Sequence, residues 1–284
     1  MPYPTDTPAA DTARAPLAVL GPRELAVRAA LEETVLSWAA GAGAEARQYP
    51  PLLPTAELAR FDYWTNFPHL ALLATGAREE CADELTHTDH TAIAPALLGP
   101  ASYALPSAAC YAAYLDLAGR RLDAPVKITT VATCFRRETR YEGLRRLLGF
   151  SMREVICVGD RDSVLAHIAS FKERISAFAG RLGLPLAVRP ATDPFFEQDS
   201  ARTLMQRLFP VKEEFVHGDT LAIASVNFHR NFFGERCGIH LADGSPAFTS
   251  CVAFGLERWL AALSERFGAD CPDLPDRIRT AAAC

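Results

Sequence analysis

Residues 134–155 read CFRRETRYEGLRRLLGFSMREV, and they constrain the fold more tightly than any other stretch. Six arginines (136, 137, 140, 145, 146 and 153) fall within it, in a chain whose formal net charge is −5. VKITTVATC leads into the stretch and FSMREVICVG leads out of it, both rich in β-branched and apolar residues. Both read as strands, so the arginines fill the connection of a strand pair and its flanks. Side chains alternate along a strand, which places Arg136 and Glu138 on one face. Such a face holds a phosphate with the guanidinium while the carboxylate accepts a hydrogen bond from an amine. A solvated hairpin loop and an RNA-contacting loop are the competing readings.

The acidic balance opposes a broad nucleic-acid surface, so basic character has to act locally. With 284 residues, 49% of them hydrophobic, the chain can bury a substantial core. No apolar run reaches the length of a membrane span, and the first residues lack the pattern of a secretory signal. A cytoplasmic protein is the expectation. Eight cysteines (81, 110, 134, 157, 237, 251, 271 and 284) are dispersed without a CxxC pair. They fit buried thiols or single ligands better than a disulfide framework.

Residues 1–20 are expected to form a flexible tail, and 21–284 a single domain. Val27, Leu31, Val35 and Trp38 predict a helix from Arg23 that Gly41 and Gly43 close. Residues 78–92 read as a polar, acidic loop or turn, and SYALPSAACYAAYLDL as part of a strand-rich middle. Val164, Ile168, Phe171, Ile175 and Phe178 predict an amphipathic helix over 161–183. LPLAVRPA reads as a strand and FEQDSARTLMQRLFPVKEEFV as a helix. TLAIASVNFH, ERCGIHLADG and AFTSCVAFG complete the strands, and GLERWLAALSERFG is the last clear helix. Strands clustered among helices, without strict βαβ alternation, predict α+β with a mainly antiparallel sheet.

CFRRE…GLRRLLGFSMRE resembles motif 2 of the class II aminoacyl-tRNA synthetases, two antiparallel strands whose loop folds over ATP. The segment 251-CVAFGLERWL-260 resembles motif 3, and AEARQYPPLLP the weaker, dimer-forming motif 1. The resemblance implies an antiparallel sheet flanked by helices, a homodimer, and ATP bound with magnesium. It assigns Arg136 to the α-phosphate, Glu138 to the adenine amino group or ribose, and Arg258 to the adenine face and γ-phosphate. Phe150 either stacks on adenine or packs in the core. Either Arg145 or Arg146, with Arg146 preferred, engages the β/γ-phosphates. Carboxylate attack on the α-phosphorus needs positioning and charge neutralisation, which is what these cations supply.

Seryl enzymes carry an N-terminal coiled coil for tRNA and a Thr-Ser-Glu loop for the amino acid. Only residues 1–20 precede the core here, and LPSAACYAAYLDL offers Cys110 in place of that loop. The chain thus resembles the zinc-dependent, methanogen-type seryl-tRNA synthetases. It also resembles their truncated relatives, the amino acid:[carrier protein] ligases, which load small amino acids onto a carrier's phosphopantetheine thiol. The resemblance implies Zn2+ held by Cys110, Glu154 and Cys251, on three strands, with the substrate amine as fourth ligand. Read without it, Cys110 and Cys251 are core thiols, and Cys134 is the competing ligand. Ser225 and Asn227 are candidate substrate contacts, Asn227 alternatively structural, with His229 behind them. The acid that seryl enzymes use for magnesium falls at Leu221. An inserted helical segment at about 195–216, with Arg202, Arg207 and Lys212, is expected to dock an acyl or peptidyl carrier protein. Two other readings stay open: a small seryl-tRNA synthetase-like paralogue acting on tRNA, and a non-catalytic regulatory paralogue that binds an amino acid.

Overall fold

The runs flanking the arginines do pair, and Arg136–Leu148 connects them in the computed structural model, which describes residues 16–87, 92–196 and 211–283. They form the heart of a seven-stranded sheet. In chain order its strands are β1 (Glu45–Ala46), β2 (Val126–Phe135), β3 (Gly149–Gly159), β4 (Leu186–Ala191), β5 (Lys212–His217), β6 (Leu221–Arg230) and β7 (Phe248–Gly255). The spatial order is β1-β2-β3-β7-β6-β5-β4. All neighbours are antiparallel except the two-residue edge strand β1, which runs parallel to β2. This is the α+β architecture, an antiparallel sheet flanked by helices.

Alternation along β3 and β7 gives the sheet two apolar faces. Val155, Val252 and Phe254 join one core with helices α1 (Pro22–Gly41), α3 (Arg161–Leu182), α5 (Leu256–Phe267) and α6 (Leu274–Ala283). Ile156, Val158 and Cys251 join the other with α2 (Cys110–Asp116) and α4 (Phe232–Cys237). Helix α3 starts where Asp160 Oδ1 accepts the Ser163 N–H at 2.8 Å and stops at Gly183, whose φ of +64° suits glycine. Trp38 of α1 packs edge-on against Phe178 of α3, with ring centroids 5.3 Å apart.

Several local expectations give way to the structure. Cys110–Asp116 is a helix because Cys110, Ala113 and Tyr114 bury one face at helical spacing, and its alanines favour helix over strand. Within the stretch expected to be a loop or turn, Glu79–Cys81 is a 3-10 turn, but Ala82–His87 is a short helix. ERCGIHLADG begins with the last three residues of α4, and only His240–Leu241 within it is strand. Lys212–His217 is a strand, not the end of a helix, because it pairs with both β4 and β6. The rest of the expected docking helix, with Arg202 and Arg207, falls at 197–210, outside the described residues, as do tail residues 1–15. A last helix, α6, follows the one expected to be final. No helix among the described residues is long and apolar enough to cross a membrane.

Candidate active site

A cavity of about 480 Å³ lies over the sheet, walled by β3, β5, β6 and β7 and by the residues of α2, α4 and the start of α5. At its centre Cys110, Glu154 and Cys251 converge, their ligand atoms all within 4.8 Å of one another. Three elements deliver them. Cys110 is the first residue of α2, Glu154 lies mid-β3 opposite Ala253, and Cys251 lies on β7 opposite Asn227. All three are at most 3% exposed.

The electrostatics of this trio favour a cation. Glu154 Oε1 accepts the Ala109 N–H at 3.2 Å, while Oε2 is buried with no hydrogen-bond partner. A buried carboxylate oxygen left bare is costly. Burial pushes the Glu154 carboxyl above its usual range, against the opposing hydrogen bonds of Cys110 and Cys251. The hydrogen bond to Cys251, then burial and Glu154, push the Cys110 thiol well up. For Cys251 the hydrogen bond from Cys110 acts downward, but burial and Glu154 outweigh it. Three crowded acids therefore hold their protons unless a dication replaces them, which inverts each preference. Two sulfurs and one oxygen suit a zinc-type ion with a position left for substrate.

Around the trio, Asn227 Nδ2 donates to Ser225 Oγ at 3.1 Å and to Cys251 Sγ at 3.4 Å. His229 Nε2 stands 3.8 Å from the same sulfur, and its Nδ1 is 3.2 Å from the Tyr114 hydroxyl. Burial pushes His229 down to about 4, so the ring is neutral and acts as a polar wall. Cys134 stays away from the cluster; it is fully buried opposite Phe150, and burial raises its thiol.

Beyond β3 the cavity turns cationic. Arg136 Nε donates to the Ser107 carbonyl at 3.0 Å, and its guanidinium carbon lies 5.1 Å over the Phe150 ring. Arg258, at the start of α5, donates from Nε to the Arg145 carbonyl at 3.0 Å and from Nη1 to the Ala222 carbonyl at 3.1 Å. Burial and the nearby Arg136 bring Arg258 down to about 10. Two close guanidiniums in a half-dry site are poised for anionic oxygen. Arg146 pairs with Glu138 at the rim and does not itself line the cavity, whereas Arg145 lines it and reaches Glu265, Glu142 and Thr220. The structure thus gathers Cys110, Arg136, Glu138, Phe150, Glu154, Ser225, Asn227, Cys251 and Arg258 in one cavity and sets Arg146 beside it.

Glu214 and Glu257 are among the cavity carboxylates to which the sequence assigns no role. Leu221 is buried at the start of β6, but Glu214 lines the cavity from β5, opposite Ser225, with Lys212 Nζ 3.2 Å from its Oε1. Reading KEEFVH as helix hid it; the alternation of a strand would have aimed it at Ser225. Glu257, within GLER, anchors motif 3 to β3 by accepting the Ser151 N–H at 2.8 Å.

Known proteins share this frame. Residues 102–267 match the family "tRNA synthetase class II core domain (G, H, P, S and T)". "Amino acid--[acyl-carrier-protein] ligase 1" of Bradyrhizobium diazoefficiens is 34% identical over 253 residues, 84% of this chain and 76% of that protein. Ligase 2 of the same organism is 33% identical over 83% of this chain and 73% of its own length. A type-2 serine--tRNA ligase of Methanococcus aeolicus is 25% identical over 49% of this chain and 28% of its own. The solved M. kandleri SerRS, in complex with A. aeolicus tRNASec, superposes with a TM-score of 0.81 at 19% identity. That match covers 98% of this chain and 57% of the synthetase chain.

Proposed function

Because the chain belongs to the class II synthetase core family, and within it to the amino acid--[acyl-carrier-protein] ligases, we propose that it activates a small amino acid with ATP and passes the aminoacyl group to a carrier protein's phosphopantetheine thiol. One observation carries this reading: a Cys-Glu-Cys trio and two arginines, Arg136 and Arg258, line a single cavity.

Cys110, Glu154 and Cys251 would hold Zn2+, which supplies a Lewis-acidic seat for a deprotonated amine and so selects substrates bearing one. Asn227 steadies the Cys251 sulfur by its hydrogen bond. With the amine seated, a carboxylate oxygen of the substrate attacks the α-phosphorus of ATP. The bond to the bridging oxygen breaks, and pyrophosphate leaves with that electron pair. Arg136 binds the α-phosphate and Arg258 the γ-phosphate; Arg145 or Arg146 neutralises the remainder. Glu138 accepts from the adenine amino group or the ribose, and Phe150 offers a ring for adenine stacking. Glu214 is the carboxylate available to magnesium accompanying the nucleotide.

In the second step the thiol sulfur of the arm attacks the acyl carbon. The C–S bond forms, the acyl C–O bond to the phosphate breaks, AMP departs and the thiol proton passes to solvent. The acceptor brings its own nucleophile, so no side chain of this chain need form a covalent intermediate. The reading extends to a homodimer, supported by exposed Leu73 and Tyr103 on the small sheet that Leu53–Pro54, Leu73–Ala74 and Tyr103–Ala104 form. It also keeps an inserted docking segment at about 195–216 and a cytoplasmic setting.

Amino-acid-dependent exchange of pyrophosphate into ATP, run over a panel of small amino acids with zinc measured on the same sample, tests the proposal. Exchange with at least one α-amino acid, near-stoichiometric zinc and thioester formation on a holo-carrier are expected. Absence of exchange across the panel would refute it, and charging of tRNA without carrier loading would favour the synthetase reading.

A further inference from the structure

We propose that Arg230 binds the phosphodiester of the carrier's phosphopantetheine arm, an inference that rests on the ligase reading above. Arg230 ends β6 and is one of two non-glycine residues with positive φ among the described residues, at +54°. L-residues other than glycine enter this left-handed region at a cost, and such positions concentrate at functional sites. The pairing of β6 with β7 also shifts register between Phe228 and Arg230, an irregularity of the kind that re-aims a side chain.

What that side chain is aimed at follows from its surroundings. Arg230 is exposed, lines the cavity, and makes no hydrogen bond or ion pair with the described residues. Nearby cations are engaged: Arg236 pairs with Asp62 at 2.6 Å and Lys212 with Asp193 at 3.4 Å. Glu235, the carboxylate on the same wall, accepts instead from Asn231 Nδ2 at 2.6 Å. A free guanidinium at the edge of a cavity is a seat for a phosphate or carboxylate, which it grips with two parallel N–H donors.

Position decides which anion. Arg258 grips the Ala222 carbonyl at the opposite end of β6, about 26 Å along the strand from Arg230 at about 3.3 Å per residue. The γ-phosphate seat at Arg258 is therefore out of reach of Arg230. Asn227, beside the metal trio, is three residues away, about 10 Å. That span exceeds the side chain of a small amino acid whose amine sits at the trio. It suits an acceptor whose thiol lies at the activated carboxyl and whose phosphate trails toward the cavity mouth, past His229 and Phe233.

The test separates acceptor from activation. Wild-type enzyme and the variants R230G and R230K are assayed for amino-acid-dependent exchange, and for thioester formation on free phosphopantetheine and on pantetheine, which lacks the phosphate. Glycine tolerates the left-handed backbone, so R230G removes the guanidinium without added strain. Wild type should use phosphopantetheine at a KM at least 10-fold below that for pantetheine. R230G should erase this preference by raising the phosphopantetheine KM alone, with exchange within about twofold of wild type, and R230K should restore part of it. Equal loss on both acceptors, no loss on either, or no phosphate preference in wild type would each overturn the assignment while normal exchange leaves the ligase reading standing. No exchange and no thioester from wild type would instead remove the reading on which the assignment depends.

Discussion

Cys110 shows how much chemistry a single side chain can carry and how little of it a sequence displays. C110S should strip most of the bound zinc and slow exchange by at least two orders of magnitude; metal analysis and exchange on the same preparation check this. N227A leaves the three ligands but removes the donor on Cys251, so zinc affinity should fall about 10–100-fold, measured by competition with a chelator. R258A should lower kcat of exchange by about 10²–10³, the scale expected when a preorganised charge on the reacting group is lost. Arg136, Glu138 and Arg258 were legible because CFRRE and GLER are compact words; Arg136 and Glu138 share the cavity although they lie just past the end of β2 rather than on it. The metal trio was not legible from spacing, since 110, 154 and 251 meet only through the tertiary fold. Family likeness pointed to it, and geometry now brings the three atoms together.

Among the elements, long and strongly patterned ones announced themselves. Helices α1, α3 and α5 and strands β2, β3 and β7 fall where periodicity placed them. Among short elements β4 was legible in LPLAVRPA, but α2 and β5 were not, because six or seven residues hold too few turns to declare a period. Helix α2 lies in a stretch whose composition suggests strand, and the Lys-Glu-Glu of β5 suits helix as well until β4 and β6 pair with it. Helix α4 packs closely on the stretch that enters β7. A Cβ at Gly234 would sit 2.0 Å from the Ala247 carbonyl oxygen. G234A should therefore force α4 off its seat and cost about 1–3 kcal/mol or more, read as a lowered Tm, with loss of activity because α4 carries Phe232 and Phe233 into the cavity wall.

At the scale of the whole molecule, stability should depend on acid through a residue that does not line the cavity. His167 is buried against β3, its Nε2 3.3 Å from the Val155 carbonyl, and burial pushes it from 6.5 down to about 4. Its folded pKa lies below the unfolded one, so its contribution is complete above about pH 6.5 and fades as pH falls towards 4. The shift corresponds to about 3 kcal/mol. Denaturant unfolding of wild type and H167F across pH 7 to 4 should show the variant losing less stability over that window. The sheet beside it has a further property, best described as parity. On β3, Glu154 turns to Cys110 and Cys251 while its neighbour Arg153 turns to α1, where its Nε donates to Glu32 at 2.6 Å. Two opposite charges thus share one ribbon and are sorted only by whether their position is odd or even. A one-residue slip of that ribbon would set either Arg153 at the Cys110–Cys251 side or Glu154 beside Glu32, so charge as well as apolar burial holds β3 in its register.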